Sequence, residues 1–160
     1  MGNKLEISLL GKLRREPLIN AARGILPVAT LWGTAPTNLI NATDENTNTV
    51  TGTGVSVVGS ATTIGRLDLT FPTNAIYLVG IKVGIWSTVG NITLKYESAP
   101  DGTTLQDAGP SLISRTSTTE AVVNTAPFLF SGKQLGIRFA SSGAMTASVK
   151  IYEIWSYKIG

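Results

Sequence analysis

The sequence predicts an all-β protein, an antiparallel jelly-roll β-sandwich of about eight strands with an N-terminal arm. Three observations predict it. From residue 25 onward, apolar runs of strand length recur between stretches of Gly, Asn, Ser and Thr. No convincing helical stripe follows residue 25. Small polar residues are abundant, with 21 Thr, 13 Ser and 9 Asn in a chain of 160, and 17 Gly accompany them. That mixture suits many turns and a neutral polar surface. The length is that of one domain, enough to bury roughly 70% of the unfolded surface without staples.

Residues 1–24 are read as the arm and 25–160 as the jelly-roll domain. In the arm, Leu5, Ile7 and Leu9 fit a strand period, while Leu5, Leu9 and Leu13 fit a helical stripe. Pro17 and Gly24 interrupt either pattern, which favours an extended or broken segment. The predicted strands are 25–32, a Gly-broken 50–59, 64–71, 75–86, 91–98, 120–130, 134–140 and 147–157, with a weaker piece at 112–114. In 64–71, Leu67, Leu69 and Phe71 share one face, with Arg66, Asp68 and Thr70 on the other. In 75–86, Tyr77, Val79, Ile81, Val83 and Ile85 share a parity. In 91–98, Ile92, Leu94 and Tyr96 point inward and Thr93, Lys95 and Glu97 outward.

Composition removes most chemistry. With no Cys, the chain has no disulfide, thiolate metal site or thiol nucleophile. With no His, it lacks the commonest general base, and no serine has an imidazole to activate it. Asp101 with Asp107 flanks a loop and Asp44 with Glu45 is adjacent in a turn; neither arrangement sets two carboxylates across a scissile bond. Gly52-Thr53-Gly54 lacks the helix and lysine of a phosphate cradle. The reading is therefore no enzyme, no catalytic residue and no required cofactor.

Charge is concentrated at the front. Five basic residues (Lys4, Lys12, Arg14, Arg15, Arg23) against Glu6 and Glu16 give residues 1–25 a net +3, and the remainder sums to zero. The main domain thus has no electrostatic footprint for nucleic acid. Leu9-Leu10 runs straight into Gly11-Lys12, too short for a secretory h-region, and Glu6 stands where myristoylation wants Ser or Thr. No run approaches the roughly 20 apolar residues of a membrane span.

Three stretches together resemble the galactose-binding-domain-like superfamily, which includes discoidin domains and many carbohydrate-binding modules. They are the loop 38–49 (NLINATDENTNT), the strand and turn 92–104 (ITLKYESAPDGTT), and 133–139 (KQLGIRF) leading to 149–155 (VKIYEIW). The order and separation match over residues 38–157. The resemblance implies a structural calcium site in which Asp44, Asn46 and Thr49 of the loop are tied to Glu153. Oxygens grouped in one short turn suit a hard cation. Two positions depart from the family: Glu45 replaces a Gly and Val50 a frequent aromatic. The other reading gives Asp44 and Asn46 turn hydrogen bonds and pairs Glu153 with Arg138. For a glycan, Trp32 and Trp86 near strand ends are the candidate contacts, and Trp155 is read as core.

The expected function is structural: a homo-oligomeric subunit of a symmetric assembly, a virion protein such as a phage head-decoration, cement or tail component, located in the virion. Its docking element is the arm, through Leu5, Ile7, Leu9, Leu13, Arg14, Arg15, Leu18 and Ile19, with other capsid subunits as partners. The alternative is a carbohydrate-binding module for glycan or receptor attachment.

Overall fold

A computed structural model describes residues 19–46, 48–99 and 104–160. The arm residues Leu5 to Leu18 lie outside the described residues; Ile19 is exposed. Nine strands and one turn of 3₁₀ helix follow: β1 Val28–Thr30, the helix Leu39–Ala42, β2 Gly54–Val58, β3 Thr63–Ser87, β4 Ile92–Ser98, β5 Gln106–Asp107, β6 Ile113–Arg115, β7 Ala121–Asn124, β8 Phe128–Ser141 and β9 Met145–Lys158. Every pairing is antiparallel. The all-β architecture expected from the pattern is what the chain adopts.

Two long strands serve both layers. The first half of β3 lies between β1 and the second half of β8, and β4 continues this layer with β5 and β6 on its far edge. The second half of β3 lies between β9 on one side and β7 with the start of β8 on the other; β2 edges β9. The sheet therefore curls on itself and encloses one core. Tyr77, Val79, Ile81, Val83 and Ile85 are buried together, as their shared parity predicts, facing Leu67, Leu69, Phe71, Phe130, Leu135, Ile137 and Phe139 from the other stretches.

The reading of 64–71 and 75–86 as separate strands is corrected: they form one strand. The register shifts between Thr70 and Ala75, so Pro72 falls where β8 needs no N–H from it. The Tyr77 hydroxyl fixes this bend by donating to the Thr73 carbonyl at 2.7 Å, and Phe71 stacks on the Tyr77 ring at 4.4 Å. The predicted strand 120–130 is likewise corrected. It divides at Thr125–Pro127, and its second part runs on into 134–140 as β8. Residues 20–24, the end of the segment read as arm, are bonded into the body. Ala21 N–H donates to the Ser156 carbonyl at 2.7 Å, and Ala22 is fully buried.

Candidate functional site

The loop after the 3₁₀ helix is held by its own polar side chains. Asp44 accepts from the Asn46 N–H at 2.9 Å and from the Thr49 hydroxyl at 2.7 Å, and Asn46 accepts from the Asn48 N–H at 3.1 Å. Glu45 sits in the left-handed region at φ 60°, the conformation for which the resembling family's Gly is suited, and it pairs with Arg23 at 3.3 Å. The loop lies over β9, where an extra residue, Tyr152, breaks the register. Glu153 beside this bulge is 8% exposed, and neither carboxylate oxygen has a hydrogen-bond partner. Burial first, then the charges of Asp44 and Glu45, push its carboxyl up to about 7; the Glu45 N–H opposes this without completing a hydrogen bond. Glu153 does not pair with Arg138, which bonds Glu97 and Asp107 instead. Asp44, Asn46, Thr49 and Glu153 are thus gathered in one region. Among the described residues no three acidic side chains are grouped to hold a metal ion, so a cation here would need the amide, hydroxyl and backbone oxygens as well. The orphaned Glu153 carboxylate fits such an ion.

The outer face of the β1–β3–β8–β4 layer carries a second polar cluster. Glu97, read as solvent-facing, is buried. Its carboxylate receives Arg138 at 2.8 Å and Arg66 at 3.5 Å; Arg66 also holds Asp68 at 2.7 Å, and Asp107 binds both Lys95 and Arg138. Gly136 opposite leaves room for the Glu97 side chain. Three cations and three carboxylates are ion-paired here, although Arg66 Nε, Asp68 Oδ1, Glu97 Oε2 and Arg138 Nε complete no hydrogen bond. A cleft of about 390 Å³ beside them is lined by Arg66, Thr70, Leu105 and Gln134 among others.

The opposite outer face, made by β3, β9 and β7, is aromatic. Because Tyr77 to Ile85 face inward, residues 80, 82, 84 and 86 face outward. Trp86 lies under the Lys150 ammonium, 5.6 Å from its ring centre. Lys150 pairs with Glu120 at 3.2 Å, and the Tyr152 hydroxyl donates to the same carboxylate at 2.7 Å. That hydrogen bond, with Lys150, holds Glu120 below the usual carboxylate range, and the same bond, with burial and the Glu120 charge, raises Tyr152. Lys82 lies 5.4 Å over the Tyr152 ring. Next along β9, the Trp155 indole lies across Gly80, where a methyl group would overlap it, and Tyr157 follows at 5.4 Å between ring centres. Trp86, Tyr152, Trp155 and Tyr157 are all half-buried, and Val122 and Leu129 add exposed apolar surface.

This arrangement corrects the reading of Trp155 as core. The bulge at Tyr152 shifts the phase of β9, so Ile154 turns inward and Trp155 outward. The candidates Trp32 and Trp86 end in different environments. Trp32 donates its indole N–H to the Arg66 carbonyl at 3.1 Å, lies over Gly54 and Gly65 and packs 5.7 Å from Phe139. It closes one end of the core. Trp86 and Trp155 make no hydrogen bond through their indole N–H among the described residues, which leaves a polar tip beside each apolar ring. The sequence signal that could have revealed the row is the pair Gly80 and Gly84 within a strand, since bare backbone there admits a close overlying side chain.

No family model matches the chain, and no curated protein matches it. Solved structures do. A chitosan-binding module 1 of the chitosanase/glucanase from Paenibacillus sp. IK-5 is similar at TM-score 0.51 and 11% identity, over 88% of this chain and 99% of that one. The chitosan-binding module 2 of the same enzyme, in complex with chitotriose, gives 0.49 and 14% over 86% and 99%. CBM32-3 of a family 31 glycoside hydrolase from Clostridium perfringens gives 0.43 and 13% over 88% and 94%. The likeness is one of fold. Among the described residues no helix is long and apolar enough to cross a membrane.

Proposed function

We propose that this chain is a non-enzymatic carbohydrate-binding module whose ligand lies along the outer β3–β9 face. The observation that carries the reading is the row Trp86, Tyr152, Trp155 and Tyr157, half-exposed on one sheet face, with the indole N–H groups of Trp86 and Trp155 unbonded among the described residues. Sugar rings offer apolar C–H faces rimmed by hydroxyls. Flat rings with adjacent N–H, O–H and ammonium donors match both parts of that surface. The fold shared with a module described as chitosan-binding supports the reading. The assembly reading makes residues 1–24 its docking element, and the outer aromatic face supports the carbohydrate alternative better.

Affinity electrophoresis through gels containing soluble polysaccharides tests it. At least one polysaccharide should retard the full chain, and Trp155→Ala should restore the mobility, a loss of roughly tenfold or more in affinity for a central aromatic anchor. Trp32→Phe should leave retardation in place. Unretarded migration across neutral and acidic glycans would reject the proposal.

Within the same reading, Asp44, Asn46, Thr49 and Glu153 are proposed as the holders of a structural Ca²⁺ that ties the loop to β9. The carboxylate that burial leaves unpartnered supports this. The ion would supply charge compensation only, with no part in ligand chemistry.

A further inference from the structure

We infer that the glycan this face selects is acidic, a uronate-bearing polysaccharide whose carboxylates meet Lys82. The inference rests on the carbohydrate-binding reading above and adds the ligand class. It follows from how charge is distributed over the two outer faces. On the β1–β3–β8–β4 face Arg66, Arg138 and Lys95 are cross-linked with Asp68, Glu97 and Asp107, and the exposed Lys133 of β8 and Arg115 of β6, unpaired among the described residues, lie over no aromatic ring. On the aromatic face the account does not balance. Glu120 is engaged at both oxygens, one by the Tyr152 hydroxyl and the other by Lys150. Lys150 is thereby neutralised.

Lys82 remains. Its ammonium rests over the Tyr152 ring and has no carboxylate within ion-pair distance among the described residues. Its cross-strand neighbours give it none: Asn124 on β7 is neutral, and Glu153 on β9 is buried without a partner. The position is central, two residues from Gly80 beneath Trp155 and four from Trp86 on the same side of β3. A sugar stacked on Tyr152 or Trp155 therefore presents its substituents beside an uncompensated cation whose flank is already shielded by an aromatic ring. A carboxylate there gains a charge-assisted hydrogen bond, whereas a protonated amino sugar meets repulsion. This chain should thus differ in preference from the module described as chitosan-binding whose fold it shares.

Isothermal titration of the full chain with polygalacturonate, its methyl ester, a neutral β-glucan, chitosan and a sulfated galactan tests the inference. Polygalacturonate should bind most tightly, weaken as salt rises, and lose about tenfold on methyl esterification. Lys82→Met should lose a similar factor for polygalacturonate with an unchanged melting temperature, and Lys82→Arg should retain binding. Equal affinity for the acid and its ester, tightest binding to chitosan or to the sulfated galactan, or full affinity in Lys82→Met would each overturn the uronate assignment. Silence toward all five polymers would instead remove the carbohydrate reading itself.

Discussion

A carboxylate that folding buries without a completed hydrogen bond raises the cost of its own ionisation, and Glu153 is in that position. Unfolded, it titrates near the usual glutamate value of roughly 4.3; folded, it is pushed up to about 7. Between those values the native state holds a proton that the unfolded state lacks. Its contribution is therefore complete below the lower value and is lost as pH rises through the upper one. In chelator, melting temperature should fall from pH 5 to pH 8, and Glu153→Gln should flatten that fall and melt higher at pH 8. Added calcium should stabilise the wild type at pH 8 and leave the Gln variant unmoved. Thermal melts in the four conditions check both statements, and a wild type indifferent to calcium would retire the ion. A second residue-scale prediction concerns Gly80. A methyl there overlaps the Trp155 indole, so Gly80→Ala should lower glycan affinity while keeping every ligand-contacting side chain. Titration of that variant measures the effect. The burial of Glu153 was legible in the sequence, and the outward turn of Trp155 was not. Parity grouped Val149, Ile151, Glu153 and Trp155 on one face, and no Gly or Pro marks the bulge at Tyr152 that separates them.

At the scale of elements, alternation was a sound guide wherever one face of a strand meets the core. Leu67, Leu69 and Phe71, and the odd-numbered run Tyr77 to Ile85, are buried as their spacing demands. What alternation cannot register is continuity. Pro72 reads as a strand terminator, yet in β3 it occupies a register shift that makes no use of its missing N–H. The bend depends on a closure by Tyr77, four residues on, whose hydroxyl holds the Thr73 carbonyl, a contact that alternation does not encode. Tyr77→Phe should cost about 1–2 kcal/mol, read as a lowered urea midpoint with unchanged slope. Glycan affinity should be unaffected. Glu97 shows the complementary gap. Its outward parity was correct, but its burial depends on Arg66 and Arg138 arriving from two other strands.

For the whole molecule, the two outer faces differ in kind: one is an ion-paired lattice, the other an aromatic row with an unpaired lysine. Composition alone could not show this, because both faces draw on the same neutral total. The carbohydrate-binding account makes the domain sufficient for binding, so removal of residues 1–18 should leave glycan affinity intact in titrations. The assembly account makes the arm 1–24 the docking element, with seven of its eight docking residues within 1–18, and it predicts that attachment disappears with them. The central claim is that Trp86 and Trp155 meet the ligand and Trp32 does not. The three indole N–H resonances of ¹⁵N-labelled protein report on it one by one. Titration with a binding polysaccharide should shift those of Trp86 and Trp155, whose N–H groups are unbonded, and leave that of Trp32, bonded to the Arg66 carbonyl, in place. A shift confined to Trp32, or none in Trp86 and Trp155 at saturation, would contradict the account.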